Sequence, residues 1–130
     1  MKRCSALRTL TNEHHHGLVL AKRAKETAGT AAAEKAWREI QARFSAELEP
    51  HFQAEEMWLL PALERMGETG LAQRTHADHA ELRRMIREGG VQTMIEFAEL
   101  LIQHIRFEER ELFETAQQKI PAAELVALAH

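Results

Sequence analysis

Apolar side chains recur every three or four residues along almost the whole chain, which is the period of an α-helix, and no stretch alternates in the manner of a strand. The clearest pattern occurs twice with the same internal spacing: Phe44, Leu48, His51, Glu55 and Leu59, then Phe97, Leu101, His104, Glu108 and Leu112. Steps of four, three, four and four residues hold each set on one helical face. Residues 5 to 28 carry Leu7, Leu10, His14, Leu18, Ala21 and Ala28 at helical spacing, and Gly29 with Thr30 stops that segment. Residues 31 to 66 predict a second helix with Gly67 just past its end; Pro50 should kink or restart it immediately before His51, and Pro61 should bend its last turn. Leu71, Thr75, His79, Leu82 and Ile86 mark a third helix that ends at Gly89 and Gly90. Residues 91 to 119 form the fourth, Pro121 follows, and residues 122 to 129 could add a short helix or a docked tail. Four amphipathic helices joined by short turns predict an all-α, antiparallel up-down four-helix bundle, with residues 1–130 as a single domain.

The polar members of the stripes carry the chemistry. A carboxylate placed among Phe and Leu on a core-facing stripe costs several kcal/mol to bury unless something compensates it. A bound cation facing both Glu and His would satisfy the two together. The second and fourth helices supply His51 with Glu55 and His104 with Glu108; the first and third supply His14 after Glu13 and His79 after Asp78. Taken singly, a core histidine is more often simply hydrogen-bonded, and a His-x-x-x-Glu pair is more often an exposed contact worth a few tenths of a kcal/mol. The coincidence on four helices, with both carboxylates in register with Phe and Leu, favours metal. Four histidines and two carboxylates suit iron, manganese or zinc, and the carboxylates are placed to bridge a pair of ions. Without metal the facing carboxylates should repel, raising the pKa of at least one.

Further residues carry weaker expectations. Glu56 and Glu109 follow the two carboxylates and are read mainly as supporting or exposed, with Glu109 a weaker ligand candidate. His15 and His16 point away from His14, so at most one other of the three should coordinate, and His76, one turn before His79, is a candidate fifth histidine. His130 is terminal, and Met57, Trp58, Met85 and Met94 read as core or boundary packing.

Composition narrows the rest. Cys4 is the only cysteine, so an internal disulfide or thiolate metal site is ruled out and any metal must be held by nitrogen and oxygen. A formal charge of −3 argues against nucleic acid or anionic lipid as partner. The basic clusters Lys22, Arg23, Lys25 and Arg83, Arg84, Arg87 read as solvated faces. No apolar run approaches the ~20 residues of a membrane span, and the start MKRCSALRTL lacks the apolar core of a secretory signal, so a cytoplasmic location is expected.

The strings HFQAEE at His51 and HIRFEE at His104, with the Glu-His and Asp-His pairs of the first and third helices, resemble the hemerythrin or HHE cation-binding family across essentially the whole chain. Ferritin-like bundles use Glu-x-x-His instead, a spacing not found at these positions. The resemblance implies a four-helix bundle holding two non-haem irons bridged by carboxylates and an oxo or hydroxo group, with zinc or manganese as substitutes. It nominates His14, His51, Glu55, His79, His104 and Glu108 as ligands, and dioxygen, peroxide or nitric oxide as the small molecule bound. Oxygen carriers of the family place a histidine where this chain has Thr75, and an aspartate where it has Glu109. The implied role is therefore binding for sensing, storage or detoxification. A di-iron oxidase or peroxidase and a metal-free helical adaptor are the competing expectations.

Overall fold

The computed structural model describes residues 3–129, and every regular element among them is helical. The first helix, α1, is Ser5–Thr27. The second, α2, is one rod over residues 33–65: Ala33–Arg43, Glu49–Ala54 and Leu60–Arg65 are α-helical, joined by wider π turns at Phe44–Leu48 and Glu55–Leu59. Thr69–Arg87 forms α3. Residues 91–119 form α4, in which a π turn at Glu108–Leu112 separates Val91–Phe107 from Phe113–Lys119. The short helix α5, Ala122–Ala129, packs against α1 and the Glu55–Leu59 turn. Both α1 and α3 lie against α2 and α4, so consecutive rods are neighbours in a closed ring, the up-down arrangement that short connections require. His130 lies outside the described residues, and no described helix is long and apolar enough to cross a membrane.

Gly67 shows how a rod ends. Its φ of +86° is a left-handed conformation that favours glycine; its N–H donates to the Glu64 carbonyl at 3.0 Å, and the Glu68 N–H donates to Leu63 at 2.9 Å. These crossed bonds satisfy the last carbonyls of α2 and reverse the chain. Neither proline breaks that rod. Pro50 and Pro61 each sit two residues after a π turn, in the first turn of the next α segment, where the change of hydrogen-bond register absorbs the ring and its missing donor. The restart expected at Pro50 is a local widening of a continuous helix.

Two apolar clusters fill the bundle. One gathers Trp37, Phe44, Phe52, Phe97 and Leu101; the other gathers Leu7, Leu10, Leu63, Leu112 and Phe113. Along every rod, one cluster gives way to the other within a few residues of His14, His51, His79 or His104. The polar residues therefore form a layer between two plugs of hydrocarbon. Two expected core positions are corrected. Leu18 is 45 % exposed, because the inward face of α1 runs through the buried Gly17 instead, about 100° away round the helix. A Cβ at Gly17 would stand 2.9 Å from Ile105 Cδ1, so glycine lets α1 and α4 approach closely. Met57 is 80 % exposed and packs in no core.

Candidate metal centre

All ten residues of the doubled stripe are buried, and His14 and His79 join His51, Glu55, His104 and Glu108 in the layer between the plugs. The six form two groups that share their carboxylates: His14, His51, Glu55 and Glu108, then Glu55, His79, His104 and Glu108, with the candidate ligand atoms of each group within 4.8 Å of one another. Each carboxylate turns one oxygen to each group. Glu55 Oε2 lies 3.3 Å from His51 Nε2, and its Oε1 lies 3.0 Å from His79 Nε2. Glu108 Oε1 lies 2.7 Å from His14 Nε2 and 3.6 Å from His51 Nε2, while its Oε2 lies 3.0 Å from His104 Nε2.

Proximity is not pairing here. His51 Nε2, His79 Nε2, His104 Nε2, both oxygens of Glu55 and Oε2 of Glu108 are buried and make no hydrogen bond, since their lone pairs and protons do not align with one another. An unpaired buried polar group costs about 1–3 kcal/mol, and a charged one more. Cations between these atoms would satisfy all of them at once, and a nitrogen and oxygen donor set without thiolate suits iron, manganese or zinc. The residues fit a metal site.

Every histidine of the layer is held from behind by a carboxylate. Nδ1 lies 2.8 Å from Glu109 for His14, 3.1 Å from Glu13 for His51, 2.7 Å from Glu56 for His79 and 2.9 Å from Asp78 for His104. The partner always comes from the preceding rod, with α4 serving α1, so the four contacts run once round the bundle. An Nδ1–H donated to a carboxylate leaves the Nε2 lone pair facing the layer, the form in which imidazole binds a metal. Each supporting carboxylate adjoins an inward residue in sequence, and the π turns begin at Glu55 and Glu108, where two consecutive side chains must serve different neighbours. Arginines anchor two of these carboxylates. Arg83 reaches Glu56 at 2.8 Å and Glu49 at 2.7 Å, and Arg3 reaches Glu109 at 3.2 Å and Glu114 at 2.6 Å. Arg83 also lies 5.7 Å from the Phe52 ring centre, so it is not the solvated side chain its sequence context suggests.

Electrostatics bind the layer together. Burial works against charge on His104, yet Glu108, Asp78 and Glu55 outweigh it and its pKa is pushed up to about 10. Burial likewise opposes charge on His51 and His14, and carboxylates raise both, His51 strongly. Despite complete burial, the Glu108 carboxyl is held well below the usual range, first by His104 and then by Glu55 and His14.

The remaining candidates stand apart. His15 and His76 are exposed and belong to neither group, and His16 faces Glu47 at 3.5 Å. Thr75 is buried and its hydroxyl donates to the Leu71 carbonyl at 2.8 Å. Glu109 and Glu56 support histidines instead of joining the inward groups. The dipeptides Glu13-His14 and Asp78-His79 carry half of the supporting set in plain view; which histidine each carboxylate serves depends on pairing between rods.

The family model for the hemerythrin HHE cation binding domain matches residues 5–116. No curated protein matches, and no solved structure does.

Proposed function

Because the chain belongs to the hemerythrin HHE cation-binding family, we propose that its centre holds two non-haem iron ions and presents them to dioxygen, peroxide or nitric oxide. The observation that carries this reading is the convergence of six unpaired buried atoms on two groups that share Glu55 and Glu108. His14 and His51 would hold one ion, His79 and His104 the other, and the two carboxylates would span both. Reduced iron supplies electrons and open coordination positions to small oxidants. The chain supplies the rest. Glu109, Glu13, Glu56 and Asp78 fix the imidazoles with Nε2 inward, and the plugs around Phe52 and Phe113 keep bulk water from the layer.

Binding is favoured over turnover by one feature. Each of the four carboxylates behind the layer is engaged with a histidine, and Glu56 and Glu109 are tied to an arginine as well. A metal-free adaptor would leave six buried atoms without a hydrogen bond. The setting this reading assumes is a single domain at work in the cytoplasm on a diffusible small molecule, for sensing, storage or detoxification.

Elemental analysis after anaerobic iron loading, with optical spectra before and after nitric oxide or air, tests the proposal. Two irons per chain and reversible spectral change are expected. A protein that retains no stoichiometric metal would overturn it, and steady consumption of peroxide would move it to the oxidase or peroxidase reading.

A further inference from the structure

The two halves of the bundle correspond residue by residue, His14 with His79, His51 with His104 and Glu55 with Glu108, and their flanks can be compared by counting outward from these pairs. The flanks differ. Between α1 and α2 runs a groove of about 400 Å³ lined by Ala6, Leu10, Glu13, Pro50, Ala54 and Trp58 among others. Three of these residues immediately precede inward ones: Glu13 before His14, Pro50 before His51 and Ala54 before Glu55. Among the described residues of the lining Glu13 carries the only charged side chain, and it is engaged with Nδ1 of His51 at 3.1 Å.

The corresponding depression between α3 and α4 is lined by Arg74, Gln103, Arg106, Phe107, Arg110 and Glu111. Phe107 stands where the first half has Ala54, Glu111 where it has Trp58, and Arg74 where it has Thr9. The Phe107 ring is buried, the Arg74 guanidinium lies over it at 4.0 Å, and Arg74 pairs with Glu111 at 3.6 Å. Thr75 and Asp78, the counterparts of Leu10 and Glu13, do not line this depression. A buried ring under a charged lid thus floors the second depression, which keeps about 310 Å³, at the level where the first groove is open down to Leu10 and Ala54.

The geometry points to the α1–α2 groove as the route by which a small uncharged diatomic molecule reaches the metal centre, with Ala54 the residue that holds it open. The inference rests on the reading of the centre given above and adds the path and the molecule's character. Apolar recesses take up dioxygen, nitric oxide and xenon, none of which needs hydrogen bonds, whereas a hydrated anion must shed water to pass Leu10 and Trp58. The arginines of the opposite flank could attract anions, but Phe107 stops them short of the layer.

The test installs in one half what the other half already carries. In the protein as purified, xenon under pressure should shift the methyl resonances of Ala6, Leu10 and Ala54 and leave the surroundings of Phe107 unchanged. Ala54→Phe should abolish that effect, and in iron-loaded protein it should slow nitric oxide association by about tenfold or more while iron content stays at two per chain. Ala54→Leu, a smaller intrusion, should slow it less and serves if the phenylalanine variant does not fold. Arg74→Ala, which strips the lid but leaves the Phe107 ring, should not change the rate. Equal rates in wild type and the Ala54 variants, an acceleration by Arg74→Ala, or xenon bound only elsewhere would each overturn the route. Loaded protein that binds no nitric oxide at all would sink the reading of the centre, and the route with it.

Discussion

Glu55 and Glu56 are consecutive, yet the first turns both oxygens into the buried layer and the second reaches sideways to Nδ1 of His79. Glu108 and Glu109 divide in the same way, the latter holding His14. Different losses should follow. Glu55→Gln or Glu108→Gln removes a bridging charge and should cost at least one metal ion per chain by elemental analysis. Glu56→Gln or Glu109→Gln should keep the stoichiometry and weaken affinity about 10–100-fold in chelator competition, the usual cost of losing a supporting hydrogen bond. Equal metal loss in both pairs would shift the inward set one residue round the helix. Proton release is a second consequence at this scale. In the metal-free layer His51 is raised well above the ordinary imidazole range and His104 to about 10, so both favour their charged form at neutral pH; His14 is shifted the same way, and a metal must displace the protons they hold. Loading at pH 7 in weakly buffered indicator solution should release more than one proton per chain, and affinity should climb as pH rises. Loading without acidification contradicts that account.

The helices themselves were largely legible in the sequence, because a stripe of period 3.6 has no other stable outlet at this length. Phe44 to Leu59 and Phe97 to Leu112 bury every member, histidines and glutamates included. Less visible was anything decided between rods. Leu18 satisfies the spacing as well as Gly17 does, and only the close approach of Ile105 selects the glycine. The π turns at Glu55 and Glu108 have no sequence signature of their own: Pro61 follows the first, and no proline stands at the matching place after the second. A π turn is one extra residue in an α-helix, so removing the exposed Met57 should restore regular hydrogen bonding and keep Leu59, Leu60 and Leu63 on the core face. What it removes is the widening that lets Glu55 and Glu56 serve two directions. The deletion variant should therefore match wild-type helicity by circular dichroism but bind metal weakly. Wild-type affinity in that variant would make the turn incidental to the centre.

At the scale of the molecule, the layer is a charged sheet between two apolar plugs, and what balances its carboxylates decides how stable the bundle is. In the metal-free state protons on the histidines do that work. The His104 pKa is raised from an ordinary 6.5 to about 10, so its contribution is complete below about pH 6.5 and declines as pH climbs, until it is gone above about 10. Glu108 has the opposite sign: its lowered pKa gives stability that is present at neutral pH and lost as the solution is acidified below the ordinary carboxyl range. A bound cation replaces the protons and holds the histidines neutral, which removes the alkaline dependence. Excess metal at 100 times its dissociation constant contributes about 2.7 kcal/mol, which for a domain of this size raises the melting temperature by about 10 °C. The gap between loaded and metal-free protein should therefore widen steadily from pH 7 to pH 9.5, as the metal-free form weakens and the loaded form does not. Differential scanning calorimetry of both forms across that range measures it directly. A gap that stays constant or narrows would mean that protonated histidines do not hold the empty layer together, and that the plugs alone carry the fold.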